Sequence, residues 1–261
     1  MSHRSRSMGT PGASFHRLLL ALAAALVLAA PLPARATDVL FVSDSSTADP
    51  NIPEALRADG HTVTVVSDDF GTGNAALQGD LGRYGLVVWV ASGTGYGDAH
   101  AVPALFSHLE AYVRSGGRVL VTGYDSIASP IDPLLIAFLG GTGSQDVPPP
   151  PGAISAEVNS LTTGIVDIRG LTPVGASSDR DALTGVLPGT VIVCPSSSDP
   201  THGQWTLRAL DRGEIAWVSN GDSGGSQGSW IVRDGGPSGA FNAALRNFAL
   251  SAGAARVVLS Q

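Results

Sequence analysis

The residues of this chain best suited to chemistry stand in short polar strings, each following an apolar run. Gly123–Tyr124–Asp125–Ser126 follows Arg118–Val119–Leu120–Val121–Thr122 and brings a phenol, a carboxylate and a hydroxyl to a sharp corner. Asp44 and Ser45 follow Val39–Leu40–Phe41–Val42, and Ser92 and Tyr96 follow Leu86–Val87–Val88–Trp89–Val90. Asn220 follows Glu214–Ile215–Ala216–Trp217–Val218 in the same way. Such groups exchange hydrogen bonds with sugar hydroxyls or peptide amides, and the two tyrosine rings offer stacking faces. A carboxylate of pKa about 3.9 is a far weaker nucleophile than a thiolate, and its attack on an amide would give a high-energy anhydride. The chemistry expected of Asp44, Ser45, Ser92, Tyr96, Tyr124, Asp125 and Asn220 is therefore binding, as the lining of a crevice.

One string points elsewhere. Gly221–Asp222–Ser223–Gly224–Gly225 could shape an oxyanion-binding turn around a serine, and His100 and Asp181 precede it in the order His, Asp, Ser. Ser223, His100 and Asp181 thus form an alternative catalytic set, with His202 as a second candidate base. The string is similar to the signature of the chymotrypsin family of serine peptidases. That family needs two antiparallel barrels, whereas residues 38–122 alternate strand and helix, and His100 sits in Asp98–Ala99–His100–Ala101 without the family's surround. Metal chemistry has less support. His61, His100, His108 and His202 include no pair at ligand spacing on a helix face. Asp44, Asp49, Asp68 and Asp69 lie near strand ends without an Asp-x-Asp-x-Asp-Gly loop. No metal and no cofactor are expected.

The elements that must position these strings alternate along the first half. A helix is predicted from Pro50 to Asp59, with Pro53 in its first turn and Gly60 past its end. A strand follows over His61–Val66. Val102, Leu105, Phe106, Leu109, Tyr112 and Val113 recur at helical spacing and make one apolar face. Another helix is expected from Pro130 to Leu139. Continuous apolar strands between amphipathic helices imply a mainly parallel sheet covered on both faces. Right-handed crossovers then bring the strands' C-terminal ends, with their polar strings, to one edge.

Beyond residue 139 the texture changes to a Pro/Gly-rich excursion at 140–204. Its first part, Gly140 to Gly152 with Pro148 to Pro151, reads as an irregular surface segment, in which 147–152 is a candidate docking segment; short β-like pieces such as Ile165–Val166–Asp167–Ile168 follow. Trp205–Leu210 and Glu214–Val218 flank Asp211–Arg212–Gly213 as a C-terminal hairpin. Phe241, Ala244, Leu245, Phe248 and Ala249 mark a last helix that should dock on the sheet. No internal repeat is seen, and residues 37–261 read as one α/β domain.

Residues 1–36 read as a signal peptide. Arg4, Arg6 and Arg17 precede the apolar run Leu18 to Ala30, and Ala34–Arg35–Ala36 is a small-x-small cleavage site. The expected mature start is Thr37, in the periplasm or outside the cell. Four of the 15 basic residues and none of the 22 acidic ones precede Thr37, leaving 11 basic against 22 acidic and a net charge of −11. An acidic surface repels phosphate backbones and anionic lipid, so neither nucleic acid nor a membrane is an expected partner. All basic residues are arginine; the absence of lysine removes Schiff-base chemistry and the lysine of a phosphate-binding loop. Cys194 is the only cysteine, which excludes an intramolecular disulfide, and its setting in Val191–Ile192–Val193–Cys194 suits a small buried side chain.

Three units in order carry a resemblance. They are the helix-ending Leu109–Arg114 with Gly116–Gly117–Arg118, its strand and Gly123; then Phe138–Leu139–Gly140–Gly141; then Arg212–Val218 with the closing helix. Over most of residues 38–252 the chain resembles the class I glutamine amidotransferase-like superfamily, a flavodoxin-like α/β fold, and is most similar to its non-catalytic exported bacterial members. Active members carry Gly-x-Cys-x-Gly at the corner and a His after the later strand. Here Asp125 stands at the nucleophile's place, and Ser219–Asn220–Gly221–Asp222 holds no His. The resemblance implies an exported scaffold without the nucleophile–base pair, binding a small polar ligand (a sugar or peptide) or a partner protein at the C-terminal edge of the sheet.

Overall fold

Long β-branched and apolar runs cannot leave their backbones unpaired in a core, and here they pair with one another. A computed structural model describes residues 36–44, 51–67, 74–91, 102–123, 126–128, 132–146, 148–174, 180–219 and 239–255. The strands are β1 (Asp38–Ser43), β2 (Thr62–Ser67), β3 (Leu86–Val90), β4 (Arg118–Thr122) and β5 (Gly143–Asp146). They continue with β6 (Asp181–Thr184), β7 (Thr190–Ser196), β8 (Asp199–Leu210) and β9 (Gly213–Val218). The helices are α1 (Asn51–Ala58), α2 (Pro103–Arg114), α3 (Pro133–Leu139) and α4 (Ala240–Ala255).

The sheet runs β2-β1-β3-β4-β9-β8-β6-β5, with β7 on β8. Its first five strands are parallel, and β8, β6, β5 and β7 pair antiparallel. The parallel half has the doubly wound order of the flavodoxin-like fold, with β9 as its fifth strand and α3 and β5–β8 inserted before it. The protein is therefore α/β, as its sequence pattern implies.

Alternate residues of each strand serve two cores. Val39, Phe41, Val88, Leu120, Ala216 and Val218 face one, under α1, α4 and a non-helical segment that contributes Ile154, Leu161 and Ile168. Leu40, Val87, Trp89, Val121, Ile215 and Trp217 face the other, under α2, α3 and the Leu77–Leu81–Tyr84 stretch. Arg118 fastens the opposite, N-terminal edge, pairing with Glu214 of β9 at 2.6 Å and reaching Ser251 of α4.

Two expectations need correction. Ile165–Ile168 is no strand, because a buried side chain takes the place of a neighbouring strand. Asn247 of α4 accepts from the Val166 amide at 3.0 Å and donates to the carbonyls of Val166 and Leu161 at 2.7 and 3.0 Å. The described helix α3 begins at Pro133 rather than Pro130. The residue before a proline is pushed out of the helical region, and Asp132 lies at φ −111°, ψ 51°. The proline run is tied to the rest of the domain. Pro148 and Pro151 are buried, and three carbonyls accept hydrogen bonds, from Arg180 Nη2 to Pro148 (2.6 Å), Gln204 Nε2 to Pro149 (2.6 Å) and Ser197 N to Pro150 (2.9 Å). Prolines lack the N–H to pair in a ladder, so the run is stitched through its acceptors to β8, to the residue before β6 and to the turn after β7.

Cys194 sits in β7 inside the first core, where burial pushes its thiol up to about 12. His61, between α1 and β2, is also buried; its Nδ1 faces the Thr37 amide at 3.3 Å. Desolvation lowers its pKa, with Asp59 opposing. The unfolded chain, titrating near about 6.5, then binds the proton more readily than the folded one. This contribution is fully present above that value and is lost as pH falls through the lowered folded value. A His61→Gln variant is expected to flatten the acid-side loss of stability, measured as the urea midpoint across that window.

Candidate functional site

The C-terminal ends of β1, β3, β4 and β9 share one edge, and the chain order reverses between β1 and β3, where a doubly wound sheet leaves a crevice. The strand ends are laced together there. Asp44, buried just past β1, donates its amide to the Val90 carbonyl of β3 at 3.1 Å. Its Oδ1 accepts the Trp89 indole N–H at 3.0 Å. The Ala91 amide donates to the Thr122 carbonyl at 2.8 Å, and Thr122 Oγ1 donates to the Val218 carbonyl at 2.8 Å. At Gly123 the chain turns so closely past β3 that a Cβ would fall 1.6 Å from the Ala91 carbonyl oxygen, at φ 151°. Only glycine fits this corner.

One buried residue, Asp181, joins two of these segments that are distant in sequence. Asp181 Oδ2 accepts from the Ser126 amide at 2.8 Å, the Ile127 amide at 3.3 Å and Ser126 Oγ at 3.3 Å. The Asp181 amide donates to Ser219 Oγ at 2.8 Å, and the Ser219 amide donates to the Gln204 carbonyl at 3.0 Å. The geometry follows from unequal strand lengths. β8 outlasts β9, whose last pair is Val218 with Trp205, and β6 pairs with β8 beyond that point, at Leu183 with Gly203. The first residue of β6 therefore overhangs the end of β9 and meets the corner after β4.

Of the expected crevice residues, Asp44 is placed at the switch point. Ser45, Ser92, Tyr96, Tyr124, Asp125 and Asn220 lie outside the described residues, as do His100 and Ser223. Their neighbours are brought together, however: Ser126 directly follows Asp125, Ser219 directly precedes Asn220, and Asp181 binds both. Asp181 belongs to the alternative catalytic set, yet one of its oxygens is given to the β4 corner. His202 lies on β8, with Nδ1 2.7 Å from Gln145 Oε1 and Nε2 3.5 Å from Asp199 Oδ2. Among the described residues, no group of three or more His, Cys, Asp or Glu side chains could hold a metal ion.

Sequence reasoning named Ser126 only as part of the corner, and missed Ser219 and the clamping role of Asp181. The partners stand 55 and 38 residues away from Asp181, so no local pattern could announce them. Thr122 carried a weak signal as the polar end of an apolar strand.

No protein-family model matches the chain, and no curated protein matches it in sequence. Among solved structures it is similar to the Cytoplasmic Protein STM3548 from Salmonella typhimurium, with 17% identity and a TM-score of 0.52 over 82% of this chain and 97% of that one. It is also similar to the Cytoplasmic Protein STM1381 from Salmonella typhimurium LT2, with 12% identity and a TM-score of 0.51 over 85% and 99%. PurLQS from Thermotoga maritima gives 11% identity and a TM-score of 0.47 over 82% and 98%. The first two likenesses speak for a shared fold.

Replacing Asp181 by Ala would leave two backbone amides of the β4 corner without their acceptor, at a cost of about 3 kcal/mol. Asp181→Asn keeps an acceptor oxygen and should cost about half as much. Urea midpoints of the two variants check this order.

Proposed function

We propose that this protein is an exported, non-catalytic module on an amidotransferase-like scaffold, and that it binds a small polar ligand, a sugar or a peptide, at the C-terminal edge of the sheet. The observation that carries the reading is the Asp181 clamp. It draws together the segments flanking Asp125 and Asn220, the two places where the resembled enzymes keep their thiol and imidazole. The chain's single thiol, Cys194, is spent in the core, far up the pH scale and without a nucleophile's role. The strings that follow the strands in sequence carry carboxylate, amide, hydroxyl and phenol groups, which bind polar molecules without cleaving them. The mature charge of −11 favours neutral or cationic ligands over phosphates. The leader-like first 36 residues support export, which puts extracellular or periplasmic solutes within reach.

A thermal-shift series with neutral mono- and disaccharides and short peptides tests the reading. A ligand of the native state must raise the melting temperature, and an Asp125→Ala variant should lose that shift. In the same samples a fluorophosphonate probe should leave Ser223 unmodified, and glutamine should yield no ammonia. A covalent adduct on Ser223 would replace this reading with that of a serine hydrolase or peptidase.

A further inference from the structure

At the opposite edge of the sheet, the chain enters β1 through a slot built around one residue. Ala36 is exposed, but Thr37 is 6% exposed. Its carbonyl accepts from the Thr62 amide of β2 at 3.2 Å, and its amide donates to Nδ1 of His61 at 3.3 Å. Gly85 makes room for it: a Cβ there would stand 2.2 Å from Thr37 Oγ1. The same point lies 3.9 Å from the Ala252 carbonyl oxygen, in the last turn of α4. Among the described residues, the charges near this slot include Asp38, the next residue in the chain, Asp59, which acts on His61, and Arg246 of α4, which holds Asp59 through two contacts of 2.6 and 2.7 Å.

Thr37 is also the residue that follows the small-x-small string. We propose that the slot of His61, Gly85 and the end of α4 is a receptor for the α-amino group created when the leader is removed after Ala36. This rests on the export reading above. Hydrolysis of the Ala36–Thr37 peptide bond takes one water, leaving a carboxylate on the leader and an ammonium on Thr37. The new group donates where the amide donated before, now as a charge-assisted hydrogen bond to a neutral imidazole that carries its proton on Nε2. The carbonyl end of α4 and the Asp59 carboxylate favour a positive charge at this place. Removal of the leader thus completes the N-terminal edge instead of leaving a loose terminus.

The absence of lysine makes the test clean, because the mature chain then has one primary amine. The exported protein, purified with its leader removed, is treated with an N-hydroxysuccinimide ester in native buffer and in urea. A second chain that retains Arg35 and Ala36 serves as the exposed-amine reference. Native acylation at Thr37 is expected to run at least about tenfold slower than in urea or in the extended chain. His61→Ala should restore much of the lost reactivity. Equal rates for native Thr37 and the extended chain would overturn the receptor. N-terminal sequencing separates the two readings: a terminus elsewhere than Thr37 refutes the cleavage position, whereas a Thr37 terminus that acylates freely refutes the slot alone.

Discussion

A carboxylate sealed from water must be met by donors, and that requirement at Asp181 shapes the C-terminal edge of the sheet. Two backbone amides and a hydroxyl from the β4 corner converge on one oxygen, while the residue's own amide holds Ser219 after β9. Three donors aimed at one buried oxygen make the loss of that acceptor costly. The corner and the end of β9 come from distant parts of the chain. The inserted β5–β6 pair brings the carboxylate between them.

The parallel sheet supplies the platform for that clamp. Its central strands are buried on both faces, and alternating residues commit the two sides to separate cores. One side is closed by helices and the short stretch before β3. The other relies on α1 and α4 and on an irregular segment that Asn247 holds in place through its side-chain amide. The same economy appears in the proline run, whose carbonyls alone can pair, with Arg180, Ser197 and Gln204. Irregular chain can therefore cover a core here because its backbone groups find specific partners, some in side chains and some in backbone beyond the segment.

Much of this fold was legible from hydrophobic pattern. β3 and β4 coincide with the apolar runs Leu86–Val90 and Arg118–Thr122, and the α2 face and the β8–β9 hairpin follow their periodicities. β5 and β6 were not legible, since Gly143–Asp146 and Asp181–Thr184 carry little strand propensity and are held by partners distant in sequence. Ile165–Ile168 misled in the opposite sense, being strand-like in composition but satisfied by Asn247. At the site, Asp44 stands where the strand-end rule puts it, at the switch point. The clamp escaped notice because its residues become neighbours only after the β4–β9 insertion has folded.

The central claim is that Asp181 holds the β4 corner against the end of β9. Amide hydrogen exchange at Ser126 and Ile127, compared between the wild type and Asp181→Ala, tests it most directly. The account expects both amides to exchange at least about tenfold faster in the variant while the amides of β3 and β4 keep their protection. Unchanged exchange at Ser126 and Ile127 in a folded variant would contradict it.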